Sequence, residues 1–197
     1  MEPRTIAFFG ISGSGKGTQV ALVKEYLEEN DPNREVISIE SGTLIREFVE
    51  KEGYTQELSK ELLDQGKLFP AFIPIKLWGD FLVENFKGDE HLLLDGLSRR
   101  TNEAPVFDGA MKFYGREVID VIVLETDREV VADRLRKRGR ADDIEDEDID
   151  ERLNWYEEST KPVIEMLKNF GHNIHLIDGN KTIEEVDVET KKSLGLT

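Results

Sequence analysis

The sequence predicts an α/β protein built on a five-stranded parallel sheet flanked by helices. Three observations carry this. Apolar runs rich in β-branched and aliphatic residues alternate with longer amphipathic stretches, the pattern of strands joined by helical crossovers. The runs are apolar almost throughout rather than at every second residue, as strands covered on both faces must be. The first run ends in a glycine-rich turn, "GISGSGKGT" (10–18), which leads directly into a helical pattern.

Strands are expected at 5–9 ("TIAFF"), 35–39 ("EVISI"), 91–95 ("HLLLD"), 118–124 ("VIDVIVL") and 173–177 ("NIHLI"). Helical periodicity covers about 17–29, 43–52, 55–65, 71–86, 103–114, 128–138, 148–169 and 182–194. Asp127 and Thr182 suit N-cap positions, and Thr182 with Glu185 has the spacing of a capping box. About fifty residues separate the second and third strand candidates, more than a single crossover helix needs, so a helical insertion is expected near 41–69. The acidic run "DDIEDEDIDE" (142–151) opens a predicted helix, where the N-terminal dipole favours carboxylates. It lacks the glycine and ligand spacing of a calcium loop. With no internal repeat, Pro-rich linker or low-complexity tract, residues 1–197 read as one domain.

A chain of 197 residues, 38% hydrophobic, is able to bury a substantial core. It contains no run of about 18 apolar residues to span a bilayer, and no charged-then-apolar leader, so neither a membrane partner nor secretion is expected. The formal net charge of −16 argues against nucleic acid and anionic lipid as partners. It also requires any anion site to be assembled from locally gathered cations. The absence of cysteine excludes disulfides, thiolate metal ligands and a thiol nucleophile, and it fits a reducing cytoplasm.

The glycine loop is the most specific signal. Gly10, Gly13, Gly15 and Gly17 surround Lys16 between a strand and a helix. Glycines let consecutive backbone N–H groups turn inward and let phosphate oxygens approach without Cβ clashes. The helix N-terminus adds partial positive charge, and Lys16 adds a mobile full charge for β- and γ-phosphates. An ordinary tight turn needs no lysine there, so triphosphate binding is expected. The Ser or Thr that usually follows the lysine is replaced by Gly17, with Thr18 one position later.

In this form "GISGSGKGTQ" resembles the loop of adenylate kinases and related nucleoside monophosphate kinases. The resemblance runs from about residue 4 to residue 190. It implies a P-loop NTPase fold with an acceptor-binding insertion at 41–69. "LLLDG" places Asp95 where the family holds Mg²⁺, directly or through water. "DGLSRRTNEA" resembles the family's Asp-Gly-Phe-Pro-Arg-Thr segment, matching at Gly96 and Arg99 and departing at Leu97, Ser98, Arg100 and Glu103. "SIESGTLIREF" resembles Ser/Thr-Gly-Asp-x-x-Arg, with Ser41, Gly42 and Arg46 in place and Thr43 where the acid stands. "GKLFP" resembles the turn lining the acceptor base, through Lys67, Leu68 and Phe69; Phe69 is equally suited to a plain core role. "DRLRKRGRADD" and "ERLNWYEESTKPVIE" resemble the arginine segments that supply Arg134, Arg138, Arg140 and Arg152, and "DGNK" resembles the loop against the donor adenine, bringing Lys181.

The resemblance thus implies ATP binding by Gly13, Ser14, Gly15, Lys16, Gly17, Thr18, Arg134, Arg138 and Lys181. It implies AMP binding by Ser41, Arg46, Lys67, Leu68, Phe69, Gly96, Arg99, Glu103, Arg140 and Arg152. Lys16, Arg99, Arg138, Arg140 and Arg152 would act on the transferring phosphoryl group. Apart from Lys67 and Lys181, these five with Arg46 and Arg134 would put seven of the 26 cations at one cleft. Only Gly139 separates Arg138 from Arg140, so the family's lid is reduced to about 139–146 and water exclusion is expected from the 41–69 insertion.

The expected reaction is MgATP plus AMP giving two ADP, reversibly. Kinases for GMP, UMP or CMP, and a nucleotide-binding regulator without turnover, stand as alternatives. Glu103 bears on the acceptor, because the family's glutamine both donates and accepts whereas an ionised carboxylate only accepts. No general base is required, and His91, His172 and His175 fall on or beside strands, away from the matched motifs. The family's Phe-Pro bond is typically cis; before Ser98 a cis bond is costly, so a trans bond in a rearranged turn is expected.

Overall fold

The computed structural model describes residues 1–138, 150 and 153–196, with the side chain of Arg138 outside this set. Its centre is a parallel sheet of β1 (Thr5–Gly10), β2 (Val36–Glu40), β3 (His91–Asp95), β4 (Asp120–Glu125) and β5 (Asn173–Asp178), in the spatial order β2-β3-β1-β4-β5. All four strand pairings are parallel. The fourth strand starts at Asp120 rather than 118; Val118 is exposed while Ile119 is buried.

Near-continuous apolar runs are needed because both faces are covered. Ala7, Phe9, Leu92, Leu94, Val121 and Val123 face one core, completed by α4 (Phe72–Asn85), α5 (Ala104–Phe113) and α7 (Lys161–Asn169). Ile6, Phe8, Leu93, Ile122 and Leu124 face the other, completed by α1 (Lys16–Asn30) and α8 (Ile183–Ser193). At the start of α8, Thr182 accepts from the Glu185 N–H and the Glu185 side chain accepts from the Thr182 N–H, the reciprocal cap expected. α6 (Arg128–Arg138) packs Val131 and Leu135 against Ile11 of the glycine loop and Leu153.

Between β2 and β3 stand α2 (Ser41–Val49) and α3 (Tyr54–Asp64), followed by the longer α4. Ile45, Phe48 and Val49 of α2 form a small separate core with Phe69 and Ile73. α3 ends in a Schellman turn: Gly66 N–H bonds Leu63 O at 2.9 Å and Lys67 N–H bonds Leu62 O at 2.9 Å. Beyond that turn, Lys67, Leu68 and Phe69 line a cleft.

The helix expected over 148–169 is interrupted in register. A π-type segment, Tyr156–Thr160, precedes α7, and the Lys161 N–H reaches the Tyr156 carbonyl five residues back. Pro162 sits in the first turn of α7; it has no N–H to offer the carbonyl four residues back, and its ring crowds that carbonyl, so the ladder widens there.

The histidines serve the framework. His91 is buried and accepts the Arg4 N–H at Nδ1, with Nε2 3.3 Å from Asp31. Buried His172 has Nε2 3.2 Å from Asp108, and His175 lies 3.0 Å from Asp120. Burial holds His91 and His172 below the ordinary imidazole range.

Candidate active site

β1 and β3 are neighbours, yet the chain leaves them toward opposite faces of the sheet, into α1 after β1 and into α5 after β3. Such a divergence at the carboxyl ends of parallel strands leaves a crevice that the backbone does not fill. The cleft there has a volume of about 860 Å³. It is lined by every expected site residue whose side chain is described: Gly13, Ser14, Gly15, Lys16, Gly17, Thr18, Ser41, Arg46, Lys67, Leu68, Phe69, Asp95, Gly96, Arg99, Glu103, Arg134 and Lys181. Arg140 and Arg152, the side chain of Arg138, the segment 139–146 and all of the acidic run 142–151 except Asp150 lie outside the described residues.

The glycine loop turns with φ of 86° at Gly13 and 98° at Gly15, a region that side chains with a Cβ rarely adopt. α1 starts directly at Lys16, so its first amide protons and its positive pole face the cleft. Lys16 folds back along the loop, donating from Nζ to Gly10 O at 2.8 Å and Ile11 O at 3.0 Å.

Asp95 ends β3 with 8% of its surface exposed. Burial raises its carboxyl above the ordinary range, against the pull of Lys16 and Arg99 and with a smaller push from Glu40. Its Oδ2 lies 3.9 Å from where a Cβ on Gly17 would stand, so the carboxylate abuts the first turn of α1. Among the described residues, no group of three or more His, Cys, Asp or Glu forms a metal cage. A single carboxylate beside a phosphate loop suits Mg²⁺, which keeps several waters and takes its other ligands from substrate phosphates.

On the opposite wall, Arg99 donates from Nε to Gly96 O at 3.0 Å and from Nη2 to Ser41 Oγ at 3.2 Å, while Ser41 Oγ donates to Gly96 O at 2.9 Å. The Arg99 backbone is anchored at both ends: its N–H donates to Glu103 at 2.7 Å and its carbonyl accepts from Thr160 Oγ1 at 3.2 Å. No cis peptide bond occurs among the described residues, so Leu97–Ser98 is trans, and Ser98 takes a φ of 62°. The turn is therefore rearranged where the family carries proline. Arg100 bridges to the insertion, donating to Leu68 O at 3.0 Å.

Glu103 is 2% exposed. Burial raises its carboxyl, opposed by the backbone amides of Arg99 and Arg100. Phe69 packs in the core of the insertion and also lines the cleft. At the far end, Arg134 joins the glycine loop to the turn after β5 by donating to Ser14 O at 3.3 Å and Gly179 O at 3.0 Å. Lys181 lines the same end but commits its ammonium to Glu189 at 2.7 Å.

The cleft also takes in residues to which the sequence reading gave no role: Glu40, Trp155, Tyr156 and Thr160, together with Arg100. Glu40 was findable, because the last residue of a buried parallel strand stands at the edge where ligands bind. Thr160 and its neighbours had no such signal, since their direction depends on the π-type register.

The sequence model of the family described as adenylate kinase matches residues 8–172. A protein named adenylate kinase from Flavobacterium psychrophilum is 31% identical over 185 residues, which cover 92% of this chain and 93% of that one. The adenylate kinase of Corynebacterium aurimucosum is 34% identical over 187 residues, 94% of this chain and 96% of its own. That of Corynebacterium diphtheriae is 31% identical over 190 residues, 96% of this chain and 98% of its own. A family match over most of the chain, on a parallel sheet that puts a glycine-lysine loop and a wall of arginines around one cleft, establishes that the chain belongs to the adenylate kinase family, a group of nucleoside monophosphate kinases.

Proposed function

We propose that this cleft transfers the γ-phosphoryl group of ATP to AMP, reversibly, giving two molecules of ADP. One observation carries the reading: a single cleft is lined by Lys16 on the glycine loop, by Asp95 at the end of β3 and by Arg99 beyond it. Cations from two separate elements in one cleft are what two polyanions meeting end to end require. A site that merely binds one triphosphate needs only the first.

Phosphoryl transfer asks little covalent chemistry of a protein; it asks for in-line holding and for neutralisation of charge on the transferring oxygens. Gly13 through Thr18 cradle the donor phosphates with backbone amides, and Lys16 follows the γ-phosphoryl. Arg134 and Lys181 border the donor nucleoside. Arg46 and Arg99 grip the acceptor phosphate, with Ser41 and Gly96 beneath, and Arg138, Arg140 and Arg152 extend the set in the same reading. Guanidinium groups suit this because they stay charged and meet phosphate through a planar fork. When bound, Mg²⁺ supplies neutralisation at the donor's β- and γ-oxygens, and Asp95 is the residue that would hold it, directly or through water.

Lys67, Leu68, Phe69 and Glu103 enclose the acceptor base, with the 41–69 insertion as the acceptor-binding unit and the element that excludes water. Burial raises the Glu103 carboxyl, opposed by the backbone amides of Arg99 and Arg100. A carboxylate oxygen accepts from the amino group of adenine, and a carboxyl that carries its proton also donates to the ring nitrogen, as the family's glutamine amide does. Steady-state rates with AMP, GMP, UMP and CMP at saturating MgATP test this, with AMP expected to be preferred by about tenfold or more, one good base-edge contact being worth that much. A tenfold preference for GMP overturns the acceptor assignment. Failure to form ADP from any of the four overturns the enzyme reading in favour of a nucleotide-binding regulator.

Asp95→Asn is expected to lower turnover while raising Tm. A carboxyl whose folded value lies above its unfolded one binds its proton more tightly in the fold. Its contribution to stability is present at low pH and is lost as pH rises from 3.8 through the raised value. At neutral pH the buried charge opposes folding, and the neutral amide removes that opposition. Thermal unfolding at pH 7 checks the sign: a lower Tm shows that pairing with Lys16 and Arg99 outweighs burial. The strongly anionic surface, the lack of cysteine, and the lack of any helix long and apolar enough to cross a membrane among the described residues support a cytoplasmic enzyme that acts on small nucleotides without nucleic-acid or membrane partners.

A further inference from the structure

Arg46 does not point straight out from α2. It folds back over the first turn of its own helix and is caught there. Its Nη2 donates to Glu40 Oε1 at 3.3 Å and to Thr43 Oγ1 at 2.9 Å, and Thr43 Oγ1 donates to Glu40 Oε2 at 2.6 Å. The three side chains close a ring. The ring lies over Gly42: a Cβ there would stand 3.1 Å from Arg46 Nη1 and 3.4 Å from Glu40 Oε1. A residue without a side chain therefore makes room for the fold-back.

Glu40 differs from the other members in what holds it. It is the last residue of β2, paired in register with Asp95 on β3. Its Cα is thus set by the strand ladder, whereas Thr43 and Arg46 ride on α2. The internal contacts use Nη2 alone. Nη1 and Nε of Arg46 have no hydrogen-bond partner among the described residues and remain for an anion in the cleft. We propose that Glu40 is the positioning residue for Arg46: it references the guanidinium to the sheet and leaves Nη1 and Nε for the acceptor phosphate. This rests on the reading of Arg46 as an acceptor-phosphate residue. On the helix itself, the place three residues before Arg46 would be within reach of its guanidinium, but Thr43 is neutral there. The negative charge comes from the strand instead.

The alternative for a carboxylate in this place is competition, in which Glu40 occupies the arginine until phosphate displaces it. The two predict opposite signs. Steady-state kinetics with AMP and MgATP varied separately on Glu40→Ala, Arg46→Ala and the double variant Glu40→Ala/Thr43→Asp distinguish them. Glu40→Ala is expected to raise KM for AMP about fivefold, the upper size for an exposed orienting ion pair, with KM for ATP unchanged as the internal control. Adding Thr43→Asp is expected to bring KM for AMP back toward that of the parent, because the position-43 oxygen already lies 2.9 Å from Nη2. An unchanged or lowered KM for AMP in Glu40→Ala, with Arg46→Ala raising it, overturns the positioning role alone. A rise in Glu40→Ala that Thr43→Asp does not reduce also overturns it, assigning the effect to the strand end. An unchanged KM for AMP in Arg46→Ala overturns the reading on which the inference rests.

Discussion

Replacing Lys16 with methionine is expected to lower kcat about a thousandfold and to leave the fold intact, the upper range for removing one preorganised charge from a phosphoryl-transfer site. Methionine matches the four-atom stem and ends where the ammonium begins, so the change isolates the charge. The contacts forfeited include those to the carbonyls of Gly10 and Ile11, which border an open cleft and are able to take water instead. The loop keeps its own turn bond, Ser14 N–H to Ile11 O at 3.1 Å, and its packing of Ile11 against Val131 and Leu135. Two neighbouring cations are already engaged: Arg134 is tied to Ser14 and Gly179, and Arg99 to Gly96 and Ser41. Circular dichroism and Tm should match the parent. A kcat within tenfold of the parent would mean that the amide cradle suffices and that Lys16 takes no part in the transfer.

Arg99→Ala follows, with an expected loss of about a hundredfold in kcat. The turn that carries Arg99 is held by backbone contacts to Glu103 and Thr160, so truncating the side chain leaves it in place. What disappears is a guanidinium whose Nε and Nη2 are pinned to Gly96 and Ser41 and whose charge is felt at Asp95. Arg99→Lys should recover little, because an ammonium cannot keep both anchoring bonds and still present a planar fork to phosphate. Parallel kcat measurements on the alanine and lysine variants check this. Near-normal turnover in Arg99→Ala removes it from the reacting centre, and full recovery in Arg99→Lys reduces its role to point charge.

Residues whose role follows from local geometry were legible before any coordinates. Gly13 and Gly15 take the positive φ that a phosphate loop demands, and Thr182 and Glu185 close the reciprocal cap their spacing implied. The strand ends fell within a residue or two, because a strand buried on both faces must be apolar along its whole length. The directions of individual side chains were not legible. Phe69 reads equally as core or as a contact of the acceptor base; its side chain packs in the insertion's small core and borders the cleft, since that core ends there. Lys181 reads as a donor-side cation, yet its ammonium pairs with Glu189 eight residues on, a choice made by the facing of the turn after β5 and α8.

Sequence alone determined the parallel α/β sheet, the glycine-lysine loop at the end of the first strand, the insertion between the second and third, and the supply of cations for a cleft in an anionic chain. Those follow from interactions between residues near in the chain and from the hydrophobic period, both written along one dimension. Tertiary structure alone decided that Glu40 meets Arg46 over Gly42, that Arg100 reaches across to Leu68, and that a π-type turn aims Thr160 at Arg99. Each of these depends on the strand register or helix phase that brings separate segments together, and a shift of one residue in either would turn the side chain to another face.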